Sequence, residues 1–219
     1  MRLVQGQGSY QKKSACWMSA VGYYVGQYDE AKWGDHPDCV CPMIRQLCVR
    51  LNDGCADDAE REQLIGPHIF TPVGTRTEDK EVNKQRLVLI REAAFDWAIE
   101  ALDTAKVKHE LKPFSSYATR HEAVEAAREA ERAADAANAA ANAANAAYAA
   151  NAAGAAANAA NAANAANANA AAYAAAYAAA YAAKRKELLQ LILDCCAVGD
   201  RQELVPARSK EDVLAFIGG

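Results

Sequence analysis

From Ala133 to Ala183 about seven residues in ten are alanine, and the interruptions are mostly asparagine or tyrosine three or four positions apart. No other feature constrains the fold of this chain so strongly. Alanine is the best helix former, and asparagine costs only about 0.5 kcal/mol more per residue, so the tract is expected to be helical. Thr119 with Glu122 forms a capping box that opens the helix, and no proline follows until Pro206. Unbroken from Arg120 to Cys196, the helix would be about 115 Å long; broken near Gly154, it would give two antiparallel arms of roughly 50 to 60 Å. A spacing of three turns a helix position by about −60°, and a spacing of four by about +40°. Summed along one rod, the asparagines and tyrosines visit the whole circumference. Shorter windows keep an alanine face, as between Asn138 and Tyr148 or opposite the ladder Tyr173, Tyr177 and Tyr181. That pattern favours two arms with separate seams, or a rod wrapped by its partner. Alanine seams let helix axes approach closely while burying little area per contact. Self-association through these seams is the expectation, and a neutral helical spacer is its alternative.

The tract also distorts the composition. Of 219 residues, 52% are hydrophobic, yet only 7% are aromatic. With 24 Lys+Arg against 28 Asp+Glu the net charge is −4, so there is no general basic field and nucleic acid is not an expected partner. No apolar run approaches the roughly 18 residues of a membrane span, and the N-terminus has no apolar signal core. Seven cysteines without an export signal point to a reducing, cytoplasmic setting.

Composition divides the chain into a compact helical domain (1–113), the Ala/Asn/Tyr-rich long helix or hairpin (114–197) and a C-terminal tail with a short helix (198–219). In the first part, Ser14 is the expected cap of a helix running through Gln27, with Trp17, Ala20, Val21, Tyr24 and Val25 on one face. Pro42 suits the first position of a second helix, ended by Asn52-Asp53-Gly54. Asp57, Asp58 and Glu60 suit the start of a third, closed by Gly66-Pro67. Thr75 with Glu78 reads as a capping box for a fourth, whose stripe runs Leu87, Ile90, Ala94, Trp97, Ala101 and Ala105. Ser209 caps the last. No series of alternating strands appears, so the fold class is all-α.

Zinc needs about four N/S ligands, and His36, Cys39 and Cys41 with one further cysteine supply a candidate set. Their C-x-C spacing departs from the usual C-x₂₋₄-C, so buried thiols beside a turn are the alternative and no cofactor is expected. Cys16, in the first turn of its helix, is where a helix dipole activates a thiol. It carries the first alternative function, a cysteine- or zinc-dependent enzyme centred on Cys16, His36, Cys39 and Cys41. Phosphate-binding glycine loops are missing. Arg120, Arg128 and Arg132, with Lys184, Arg185 and Lys186, lie near the base of any hairpin and form a candidate site for a small anionic ligand. The tract has no threonine, so it does not make the regular plane of alanine-rich ice-binding helices.

Ser14-Ala15-Cys16-Trp17-Met18, Asp35-His36-Pro37-Asp38-Cys39, Leu51-Asn52-Asp53 and Pro72-Val73-Gly74-Thr75 carry a resemblance. The first 75 residues resemble a family of short actinobacterial and phage-encoded proteins without an assigned activity, whose phage members also carry alanine-rich tracts. The resemblance implies a setting and no mechanism. The reading it leaves foremost is a non-enzymatic oligomeric binding protein, in a phage a counter-defence factor that sequesters a host protein or a small signalling ligand. A structural filament or spacer is the remaining alternative.

Overall fold

A computed structural model describes residues 2–55, 57–104, 108–140 and 185–218. The choice between one long helix and a hairpin falls on residues outside that set. The described part is mainly helical, with one small two-stranded sheet. In order it comprises β1 (Gly8–Ser9), β2 (Ser14–Ala15), α1 (Trp17–Tyr24), α2 (Pro42–Gly54), α3 (Asp58–Ile65), α4 (Lys80–Thr104), α5 (Arg120–Ala140), α6 (Arg185–Ala197) and α7 (Lys210–Phe216). Among the described residues no helix is long and apolar enough to cross a membrane.

The chain packs into two compact units, Met1–Asn83 with Ala180–Gly219, and Lys84–Ala179. Packing defines these units, whereas the compositional boundaries mark changes in residue usage.

In the first unit, β1 and β2 pair antiparallel, Gly8 opposite Ala15 and Ser9 opposite Ser14. Gly8 has φ +75° and its α-carbon lies against the Ser14 carbonyl, where a β-carbon would sit 2.4 Å from that oxygen. This hairpin corrects the expectation that Ser14 caps α1. Ser14 is consumed in the ladder, its hydroxyl accepting from the Ser9 N–H, and Cys16 becomes the cap, its sulfur accepting from the Ser19 N–H at 3.3 Å. Pro42 starts α2 as its fixed φ favours, and Asp57 caps α3 through the Glu60 N–H at 2.8 Å. Thr75 does not cap α4. It is buried, its hydroxyl donating to the Pro72 carbonyl and accepting from the Cys41 N–H, and Asp79 instead accepts from the Glu81 N–H.

The core of this unit joins Trp17, Met18 and Val21 of α1, Ile44, Leu47 and Leu51 of α2, and Leu188 and Ile192 of α6, with α2 packed on α6 and α1 on α2. Asn52 and Arg61 are among the polar side chains buried in this unit, and both are hydrogen-bonded. Asn52 accepts from the Trp17 N–H at 3.2 Å and donates to the Val4 carbonyl at 2.9 Å, tying α2 to the N-terminal segment. Arg61 donates from Nε to the Asn52 carbonyl at 2.8 Å and pairs with Asp58. Such groups are tolerated inside only when hydrogen-bonded.

The second unit is built on α4 and α5. Phe95, Ala98, Ala101 and Leu102 pack with Leu111, Ala123, Val124, Ala127 and Ala130. Phe114 and Tyr117 set their rings edge-on to Phe95 at 5.3 and 5.8 Å. The α4 stripe is buried at Leu87, Ile90, Ala94, Trp97 and Ala101, while Ala105 lies outside the described residues. Thr119 caps α5 through the Glu122 N–H, and Glu122 answers to the Ala118 N–H.

Candidate functional site

The sequence places three metal-ligand candidates together, and the structure separates their environments. The His36 side chain is 69% exposed and its Nδ1 is held by Asp35, while Cys39 and Cys41 are buried. Burial pushes the Cys39 thiol up, against the lowering effect of the nearby Gly74 backbone; Cys41 is the N-terminal flank of α2, with its Sγ 3.9 Å from Asn83 Oδ1. Among the described residues no group of three or more His, Cys, Asp or Glu side chains is arranged to hold a metal ion.

Cys16 occupies the position where a helix dipole activates a thiol, but its side chain is only 3% exposed. Burial outweighs the lowering effect of the Ser19 hydrogen bonds, so its thiol is pushed up, with Asp35 adding to the rise. Cys48 is pushed well up by burial, with the thiols of Cys196, Cys195, Cys16 and Cys41 within electrostatic range. These sulfurs behave as small core hydrophobes.

The basic candidates distribute over both units. Arg128 pairs with Glu125 at 2.9 Å and Arg132 donates from Nε to the Arg128 carbonyl; both sit on α5, with Arg120 at its start. Arg185 is a structural tie in the first unit, donating from Nε to Glu60 at 2.8 Å and from Nη1 to the Gly54 carbonyl at 3.0 Å. Lys186 is exposed beside it, and Lys184 lies outside the described residues.

A cleft of about 590 Å³ in the second unit is lined by Lys108, His109, Tyr117, Glu122, Glu125 and Glu129, among others. Several of its polar groups are already engaged. Glu122 takes the Ala118 N–H, Glu125 takes Arg128, and His109 faces Asp103 from Nε2 while Nδ1 accepts from the Leu111 N–H.

The arrangement with chemistry left over is a ring cluster in the first unit that no sequence motif announces. Tyr10 comes from the hairpin turn, Tyr23 from α1, Trp33 from the following loop and Phe216 from α7, and all four are half-buried. Phe216 stacks on Tyr23 at 4.5 Å and 28°, and lies 4.9 Å from Tyr10; Trp33 sits 5.7 Å from Tyr10 and 6.0 Å from Tyr23. The Arg208 guanidinium lies 3.9 Å over the Tyr23 ring and donates to the Tyr23 carbonyl at 2.6 Å. Phe216 and Arg208 both lie against the Tyr23 ring. Behind the cluster, the Gln7 carbonyl accepts from Trp33 Nε1 and from the Ser19 hydroxyl, and Gln7 Nε2 donates to the Trp33 carbonyl. This fixes Trp33 against the turn before β1. Buried Tyr28, its hydroxyl accepting from the His36 N–H at 2.7 Å, adds a ring 6.3 Å from Trp33 and is pushed up to about 12, chiefly by burial. Lys210 lies 5.6 Å from the Phe70 ring, which packs on Tyr24 at 4.6 Å. Wet-edged rings with a guanidinium alongside suit a planar ligand that carries negative charge. The signal was spread too thinly for the sequence to show it, across positions 10, 23, 33, 208 and 216. Set against known protein families, curated proteins and solved structures, the chain matches none of them.

Proposed function

We propose that this protein is a non-catalytic binding protein whose recognition surface is the ring cluster of the first unit, and whose ligand is a small planar anion of the nucleotide class. The observation that carries this reading is the half-buried quartet of Tyr10, Tyr23, Trp33 and Phe216 with Arg208 stacked on Tyr23. The rings of Tyr10, Tyr23 and Trp33 offer stacking faces to a base, and Arg208 offers charge-assisted hydrogen bonds to a phosphate. The raised thiol of Cys16 supports binding over cysteine chemistry, because the nucleophile is the thiolate.

The proposal extends to assembly, with the alanine-rich seams of residues 133–183 holding copies of the chain together as a hairpin or a paired rod. In the phage setting that the resemblance implies, such an oligomer would act by sequestration, holding a host signalling ligand out of circulation.

Two measurements test these parts separately. Titration with ATP, followed by calorimetry and by tryptophan emission, is expected to saturate, and Arg208→Met is expected to weaken binding at least about tenfold. An absence of heat at millimolar ATP refutes the nucleotide reading. Sedimentation velocity of the full chain is expected to show a defined multimer of the 23.4 kDa subunit; a concentration-independent monomer refutes assembly.

A further inference from the structure

We propose that α7 is a displaceable cover on the ring cluster, with Phe216 seated where the planar ring of a bound ligand stacks. The proposal rests on the ring surface being the binding site, and adds how that site is regulated.

Phe216 is the ring most closely engaged. It is the one ring stacked on Tyr23, while Tyr10 and Trp33 meet Tyr23 at wider distances and steeper angles of 67° and 55°. Withdrawing Phe216 therefore frees ring surface of Tyr23, while the Arg208 guanidinium stays in contact with that ring. A stacking slot and its cation are left in place together.

The attachment of α7 fits removal as a unit. The helix has seven residues; its fully buried side chain is Val213, joined just beyond its end by Ile217, whose carbonyl accepts a backbone bond from the Arg2 N–H that opening must break. Its neighbour in the chain is anchored independently. The Ala207 and Arg208 N–H groups both donate to the Tyr24 carbonyl, and the Arg208 side chain holds the Tyr23 carbonyl. The backbone then turns at Ser209, which is extended (φ −70°, ψ 159°) and closes a capping box with Asp212. That box lies wholly within α7 and its cap, so the helix keeps its own start when it swings away from a fixed Arg208. Short helices held by few apolar side chains open locally at far lower cost than the core they cover. A site open only part of the time binds with an apparent affinity reduced by its open fraction, so loosening the cover tightens binding.

Calorimetry with ATP on the full chain, on Phe216→Ala and on Trp33→Ala tests this. The cover predicts that Phe216→Ala binds ATP about tenfold more tightly, because the competent fraction rises, whereas Trp33→Ala binds more weakly. If Phe216→Ala fails to fold, Val213→Ala thins the docking of α7 with all four rings retained and is expected to tighten binding in the same direction. ATP binding that Phe216→Ala or Val213→Ala weakens or leaves unchanged overturns the cover alone and makes Phe216 part of the wall. ATP binding to no variant overturns the ring-surface reading and the cover with it.

Discussion

Asn52 shows how a single polar side chain sets the geometry of the first unit. Its amide meets the first N–H of α1 and the carbonyl of Val4, so α2 and the N-terminal segment are held in one register. Asn52→Ala leaves both partners buried without replacements and is expected to cost about 2–4 kcal/mol, read from urea unfolding. Gly22 works by absence. An added β-carbon would fall 2.1 Å from the Tyr28 ring, so Gly22→Ala is expected to expel Tyr28, break its bond to the His36 N–H and cost about 1–3 kcal/mol. The raised thiols of Cys16 and Cys48, with Cys55 pushed up to about 11 and Tyr28 to about 12, carry a sign for pH. Each holds its proton more tightly folded than unfolded. The stability they contribute is whole below about pH 9, the ordinary thiol range, and is lost as pH rises through 11. Urea midpoints at pH 7, 9 and 10.5 are expected to fall only across the last interval, and a flat profile would contradict the buried-thiol description.

At the scale of elements, the sequence read well wherever one residue determines a boundary by its own chemistry. Pro42, Asp57 and Ser209 each begin or cap the helix that their backbone and side-chain preferences favour. It read poorly where a residue had two uses. Ser14 and Thr75 are good caps in isolation, but the hairpin takes the first and the turn from Pro72 takes the second, because a buried hydroxyl serves whichever backbone group tertiary packing brings to it. The hairpin itself was hidden, since two-residue strands carry no alternation to detect. The candidate site was illegible for a related reason, as its rings come from four segments and only folding gathers them. Arg185 illustrates the limit for charges. The basic run looked like an anion site, yet Arg185 is committed to Glu60 and Gly54 at the start of α6. A double-mutant cycle on Arg185 and Glu60 is expected to give a coupling of about 1 kcal/mol, with Arg185→Ala lowering the melting temperature and leaving ATP affinity untouched.

For the whole molecule, the decisive feature is that the first unit is closed by segments remote in sequence, with α2 packed on α6 and α1 on α7. The second unit, alanine tract included, is an insertion between them. Closing a loop costs only about 0.6 kcal/mol for each doubling of its length, so tract length is nearly free for the stability of the first unit. Variants with one Ala-Ala-Asn triplet added or removed are accordingly expected to keep the same urea midpoint for the first unit, while assembly, if it uses register along the seam, changes. The contact pattern also has a consequence during synthesis. A ribosome adds about 5–20 residues per second, so the nascent chain displays Ile44, Leu47 and Leu51 for roughly 7–30 seconds before α6 arrives to cover them. A hydrophobic face waiting that long is a client for chaperones, and the yield of this protein in a cell depends on what protects its first half until its last forty residues are made.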